Sequence, residues 1–114
     1  MSFSVVLPLP PSANASYRNV PGKGRAKTWA YKLWRNNAVL SIFAQVRADK
    51  RVPGRCAITI EIPSSTRLDL DNALKPILDA LVKSNRIDDD RHVWAIHATR
   101  SAVEMPVVTV ESIL

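Results

Sequence analysis

Two hydrophobic periods run along the chain. Ser4 to Leu7 is a short β-type run that stops at Pro8, Pro10 and Pro11, because proline has no N–H to give a sheet ladder. Cys56 to Ile62 alternates apolar and polar side chains and is β-branched, which predicts a strand; His92 to Thr99 and Val107 to Ile113 predict two more, with Met105-Pro106 in the turn between them. Thr28 to about Lys50 contains neither Gly nor Pro and predicts a long helix, N-capped by Thr28 and ended by Val52-Pro53-Gly54. Its expected buried stripe is Tyr31, Trp34, Ala38, Val39, Ile42, Phe43 and Val46, with Lys32 and Arg35 off it. Leu70, Ala73, Leu74, Ile77, Leu78, Leu81 and Val82 recur at helical spacing and predict a second, strongly amphipathic helix. Pro76 lies inside it and demands the first turn or a kink.

Ser12 to Lys27 has little periodicity and reads as a mobile basic loop, with Pro21, Gly22 and Gly24 set among Arg18, Lys23, Arg25 and Lys27. The predicted order is β-α-β-α-β-β. That is one α/β (α+β) domain over residues 1–114, with a mixed or antiparallel sheet and two helices packed on it.

Composition narrows the class. The chain has 114 residues, enough for one core and too few for two domains. Its single cysteine, Cys56, excludes an internal disulfide framework and fits a reducing compartment. Residues Met1 to Leu9 show no basic leader and no apolar span, so a cytoplasmic protein without membrane partners is expected.

Charge changes the picture further. Sixteen Lys and Arg against ten Asp and Glu give a formal +6. Residues 1–67 hold eleven basic and two acidic side chains, whereas residues 68–114 hold five and eight. Six of the ten carboxylates are aspartates between Asp69 and Asp90. A basic body with one concentrated acidic region is the pattern of a protein that attracts a polyanion and presents a divalent cation to it. A solvated basic surface with an acidic turn is the plainer reading.

The candidate chemistry sits in that acidic region. Asp69-Leu70-Asp71-Asn72 leads into the second helix, and an extended backbone there would put both carboxylates on one side. Lys75 lies one turn on from Asp71, and Asp88-Asp89-Asp90 follows the helix. Converging carboxylates repel unless a hard cation with oxygen ligands joins them. Calcium of the EF-hand type is disfavoured, since the sixth position from Asp69 is Leu74 rather than glycine. Zinc is disfavoured because His92 and His97 would face opposite ways on a strand. The plainer readings are a helix cap for Asp69 and Asp71, a solvated turn for Asp88 to Asp90, and a Lys75 helix pair with Asp71 or Asp79. Asp79 is expected to be structural, Trp29, Trp34 and Trp94 core or interface residues, and Trp29 alternatively a base-stacking platform.

The run Asp69-Leu70-Asp71-Asn72-Ala73-Leu74-Lys75-Pro76, followed by Leu78-Asp79-Ala80-Leu81 and then Asp89-Asp90, resembles the RusA family of endodeoxyribonucleases, which resolve four-way (Holliday) DNA junctions. Leu9-Pro10-Pro11-Ser12 with Asn14, Tyr17 and Arg18 is similar to that family's opening motif. The likeness runs over nearly the whole chain; no glycine follows the second helix, where the family often has one. The resemblance implies a Mg²⁺-dependent homodimer, with Mn²⁺ as a substitute, that acts on four-way junction DNA in recombination and repair. It implies that Asp69, Asp71 and Asp90 bind the metal, that Asp89 is their partner aspartate, and that Lys75 is the essential lysine. With an acidic run of three, Asp89 and Asp90 both stand as the third ligand. Paired hydrolysis leaving 5′-phosphate ends is the implied reaction. Arg18, Lys23, Arg25, Lys27 and Arg67 are the candidate DNA contacts. Two other readings compete: a non-catalytic junction-binding module of the same fold, and a small Mg²⁺-dependent nucleotide phosphohydrolase.

Overall fold

The computed structural model describes residues 1–113, excepting the side chains of Ala13 and Asn14, so Asn14 of the opening motif lies outside the described side chains. β1 is Ser2–Val6, α1 Ala13–Ser16, β2 Tyr17–Val20, β3 Gly24–Lys27 and α2 Trp29–Gln45; then come β4 Cys56–Pro63, α3 Leu70–Lys83, β5 Val93–Ser101 and β6 Val107–Ser112. Four strands form one mixed sheet in the order β1-β6-β4-β5. β4 runs parallel to β5 and antiparallel to β6, and β1 is antiparallel to β6. The parallel pair requires a crossover, and α3 supplies it.

One face of this sheet is covered. Phe3 and Val5, Ile58, Ile60 and Ile62, and Val108 and Val110 alternate inward and are buried. They meet Trp34, Ala38 and Ile42 from α2 and Ala73, Ile77, Ala80 and Leu81 from α3 in a single core. On the other face Ser4 and Thr109 share a hydroxyl hydrogen bond of 2.8 Å, a polar pair suited to solvent. The Gln45 amide bonds both the N–H and the carbonyl of Val6 at 2.8 Å, tying the end of α2 to β1. The Trp34 indole donates to the Pro8 carbonyl at 2.9 Å, anchoring the proline-rich segment on α2.

Four expectations are corrected. Residues 13–27 are a turn of helix and a β-hairpin, not a mobile loop. Tyr17 to Val20 pairs in register with Gly24 to Lys27, the turn being made by Gly22 and Gly24 at positive φ, and the Arg25 guanidinium stacks on the Tyr17 ring at 5.0 Å. The first helix ends at Gln45, and Ala48 to Lys50 form a separate 3₁₀ turn. Phe43 is exposed rather than buried, because the inward face is set by Tyr31, Trp34, Ala38 and Ile42. Trp29 and Trp94 are exposed too, which excludes the core for them and contradicts neither an interface nor, for Trp29, base stacking; Trp94 lies beneath the Arg55 guanidinium at 4.7 Å.

Thr28 is the N-cap of α2, its hydroxyl accepting from the Tyr31 N–H at 3.3 Å. Pro76 is buried in the second turn of α3, where it has no N–H to give the Asn72 carbonyl, and the helix continues past it. At the end of α3 the left-handed position that favours glycine is filled by Asn85, at φ 58. The Arg86 N–H then folds back on the Leu81 carbonyl at 3.1 Å. Asparagine tolerates this conformation, so the absent glycine changes the residue and keeps the turn.

Candidate functional site

The second helix and the chain on both sides of it carry the acidic residues. Asp69 occupies the N-cap position of α3 in an extended conformation, yet its side chain makes no capping bond. Asp71 follows in the first turn, exposed, with a carboxylate oxygen accepting from the Asn72 N–H at 3.0 Å. The approach to Asp69 is held from β5: the Arg100 guanidinium donates to the Thr66 carbonyl at 2.9 Å and to the Leu68 carbonyl at 2.7 Å. Leu68 is buried between them in sequence, while Arg67 and Asp69 face solvent. Alternation along an extended segment explains this: one side chain anchors, its neighbours project.

The three consecutive aspartates have three different surroundings. Asp88 accepts from the Gly54 N–H at 2.8 Å and pairs with Arg51, which holds its carboxyl below the ordinary range, the Gly54 hydrogen bond contributing most. It ties the loop after α3 to the loop before β4. Asp89 caps a 3₁₀ turn over Asp90 to His92 by accepting from the Arg91 N–H at 3.2 Å, and that bond lowers its carboxyl also. Asp90 is the member turned toward α3, 3.8 Å from the Lys75 ammonium.

Lys75 stands between two carboxylates, 3.3 Å from Asp79 and 3.8 Å from Asp90. Asp79, then Asp90, raise its pKa, so the ammonium stays charged throughout the neutral range. Its helix partner is Asp79, one of the two partners expected from spacing. Asp79 in turn accepts from the Tyr31 hydroxyl and lies 3.9 Å from Lys27. Burial, then the Asp79 bond, push the Tyr31 phenol upward. Asp79 thus joins α3 to α2 and to β3, and it also faces a cleft.

These groups open into a cleft of about 290 Å³ lined by Lys27, Arg35, Asp79, Val82, Lys83, Asp89 and Asp90. The Nε of Arg35 is buried there without a hydrogen-bond partner. A second cleft, of about 340 Å³, lies between the hairpin and the start of α2 and is lined by Arg18, Lys27, Thr28, Trp29 and Lys32. Of the predicted residues, the structure brings together Lys75, Asp89, Asp90 and Lys27. It sets Asp69, Asp71 and Arg67 at the start of α3, and Arg18, Lys23 and Arg25 on the hairpin. Asp79, Tyr31, Arg35 and Arg100 were not singled out as site residues. Only Asp79 had a local signal, its four-residue offset from Lys75; the others reach the site through tertiary contacts. Among the described residues no three His, Cys, Asp or Glu side chains stand together as a ligand set. The carboxylates present are oxygen donors of the kind Mg²⁺ takes, one or two at a time with water and phosphate oxygens, so the donor chemistry fits that ion.

The fold and site define a small α+β domain with a cleft lined by three cations, Lys27, Arg35 and Lys83, and three carboxylates, Asp79, Asp89 and Asp90. Residues 8–112 match the family model described as Endodeoxyribonuclease RusA, and the chain belongs to that family. It is 31% identical over 106 residues to a crossover junction endodeoxyribonuclease of Enterobacteria phage HK97, covering 91% of this chain and 86% of the relative. It is similarly 31% identical over 106 residues to the crossover junction endodeoxyribonuclease RusA of Escherichia coli K12, covering 93% and 85%. The Shigella sonnei enzyme of the same name is 32% identical over 107 residues, covering 93% and 85%.

Proposed function

We propose that the protein is a Mg²⁺-dependent, homodimeric endodeoxyribonuclease that resolves four-way DNA junctions in recombination and repair. The observation that carries this is Lys75 held between Asp79 and Asp90 beside a cleft of mixed charge, in a chain that matches the RusA family over residues 8–112.

The basic hairpin and the start of α2 draw in the junction backbone, and each phosphate neutralised adds to the salt dependence of binding. Lys27, Arg35 and Lys83 line the cleft and are the cations that would meet phosphate oxygens there. The carboxylates that would hold Mg²⁺ are Asp69 and Asp71 at the start of α3 and Asp90, with Asp89 next to it, in the turn after α3; among the described residues no three of them stand together. That ion, when bound, supplies Lewis-acid activation of water and charge neutralisation at the phosphate. Lys75, kept cationic by its two carboxylates, is unsuited to take a proton. It therefore acts by electrostatics, facing the charge that builds on the phosphate oxygens or on the leaving oxygen. Asp79 fixes the ammonium, and Tyr31 fixes Asp79. Water attack breaks the phosphorus–O3′ bond and leaves 5′-phosphate and 3′-hydroxyl ends. Two sites related by a two-fold axis match the symmetry of the junction and allow paired nicks.

The experiment is strand cleavage of a synthetic four-way junction beside a linear duplex of the same sequence, with Mg²⁺ and with EDTA. Paired nicks confined to the junction, and abolished by EDTA, are expected. Tight junction binding without nicks under any divalent cation would instead make the chain a binding module, with its aspartates serving as caps and turn residues.

A further inference from the structure

The three tryptophans have three different surroundings. Trp34 is buried with its N–H bonded to the Pro8 carbonyl, and Trp94 lies beneath the Arg55 guanidinium at 4.7 Å. Trp29 is 77% exposed, and among the described residues no ring or cation covers its faces. It stands on the wall of the second cleft, of about 340 Å³, with Arg18, Lys27, Thr28 and Lys32. Three cations line this cleft and no carboxylate does, whereas the cleft beside Lys75 is lined by three of each. Arg18 and Lys32 are exposed, and among the described residues neither forms an ion pair. Lys32 follows Trp29 by three residues, on the same side of α2. The cleft is preformed. The Thr28 N–H donates to the Ser16 carbonyl at 2.8 Å and its hydroxyl donates to the Ala15 carbonyl at 2.5 Å, which locks the end of the hairpin to the start of α2. Lys27 lines both clefts, so the two share a wall.

We infer that this second cleft is a binding site for a single unstacked nucleotide of the DNA, its base lying on the Trp29 indole and its flanking phosphates meeting Arg18 and Lys32. The inference deepens the reading above and rests on it for the substrate. The chemistry of the wall selects the ligand class. A small anion would satisfy the cations and leave the indole bare, and an apolar partner would cover the indole and leave charges unpaired. A nucleotide answers both, because every base has a π-face and every phosphate a charge. A base inside a continuous duplex has both faces stacked, so the indole cannot reach them. Extruding a base costs least where its stack is already interrupted, as at the exchange point of a four-way junction. Stacking on Trp29 therefore favours a branched substrate over a linear one. The shared Lys27 wall sets that nucleotide next to the cleft beside Lys75.

Affinities for a four-way junction, a single strand and a linear duplex, measured in EDTA so that no strand is cut, test this. Trp29→Ala is expected to weaken binding of the junction and the single strand by about 5- to 150-fold, the scale of one base stack, and to leave duplex affinity unmoved. Trp29→Phe keeps a π-face and is expected to restore most of the loss. The slope of log affinity against log salt should hold in Trp29→Ala and fall by about one in Lys32→Ala. A junction carrying iododeoxyuridine beside the exchange point is expected to cross-link to Trp29 under long-wavelength ultraviolet light. An equal loss for junction and duplex overturns the inference, as do unchanged affinities for all three or a cross-link that maps elsewhere. A smaller sedimenting mass in Trp29→Ala would make the indole a contact between protein chains and overturn it too. A wild-type chain that binds no junction overturns both readings. Because binding is read without metal, a chain that stacks a base on Trp29 yet nicks nothing counts against the proposed activity alone. A chain that nicks junctions and keeps its junction preference in Trp29→Ala counts against this inference alone.

Discussion

The Tyr31 hydroxyl donates to the Asp79 carboxylate, which also faces Lys75 at 3.3 Å and Lys27 at 3.9 Å. One carboxylate on α3 is thus oriented from α2 and shared by two ammonium groups. Tyr31→Phe removes the orienting bond and keeps the buried ring. The expected loss is about 1.5–3 kcal/mol of stability, the scale of a hydrogen bond to a charged group. Junction nicking is expected to fall through kcat with little change in junction affinity. A variant with unchanged turnover would confine Tyr31 to packing, and an equal fall in affinity would make it a DNA contact.

Asp69 projects from the start of α3 without a capping bond, and Asp71 accepts from the Asn72 N–H of the first turn. Asp69→Asn and Asp71→Asn remove charge from exposed positions, so both variants are expected to fold and to bind junctions as the wild type does. Cleavage is expected to fall by about 10³-fold, the scale of removing one central electrostatic contribution. Single-turnover rates beside gel-shift affinities separate the two effects. Unchanged cleavage would remove these residues from the site.

Much of this architecture was legible in the sequence because it is periodic. The stripe from Leu70 to Val82 fixed α3, and the alternation from Cys56 to Ile62 fixed β4 with the correct inward face. The hairpin leaves no periodic signal because its strands have four residues each and only half-buried or exposed side chains, so no apolar alternation marks them. Phe43 falls outside the buried face because α2 is apolar on two faces, and periodicity does not say which one meets the sheet. At the site, the local spacing of Asp69, Asp71 and Lys75 was readable. The separate duties of Asp88, Asp89 and Asp90 were not, since they depend on Gly54, Arg91 and Lys75 arriving from elsewhere.

Arg100 acts at a distance from the aspartates by holding the carbonyls of Thr66 and Leu68. Arg100→Ala frees the segment that presents Arg67 and Asp69. Turnover is expected to drop by about tenfold, on the basis that a small misplacement of a reacting group is costly. Arg100→Lys, which offers donors without the planar fork, should restore only part of it. A merely stabilising role would lower the melting temperature and leave the rate constant at room temperature unmoved.

Asp88 links stability to pH. Its carboxyl lies below the ordinary 3.8 because the charged form receives the Gly54 N–H and the Arg51 guanidinium. A lowered folded-state value gives stability that is present above about pH 3.8, and that is lost as pH falls through the folded value. Urea midpoints of the wild type and Asp88→Asn should therefore differ at neutral pH and converge in acid. A gap independent of pH would show that the charge is not what holds the two loops together.

The hairpin divides the basic residues into two kinds. Arg18 and Lys23 are exposed on β2 and in its turn, whereas Arg25 stacks on Tyr17 at 5.0 Å and serves the hairpin itself. For a contact to a DNA phosphate, each charge removed should lower the slope of log affinity against log salt by about one. Arg18→Ala/Lys23→Ala is thus expected to reduce that slope by about two and to weaken binding alike for junctions of different sequence. Arg25→Ala should instead destabilise β2 and β3, with a slope change no larger than one. Measured over a salt series, a slope unchanged in the double variant would move the DNA path away from the hairpin and toward Arg67 at the start of α3.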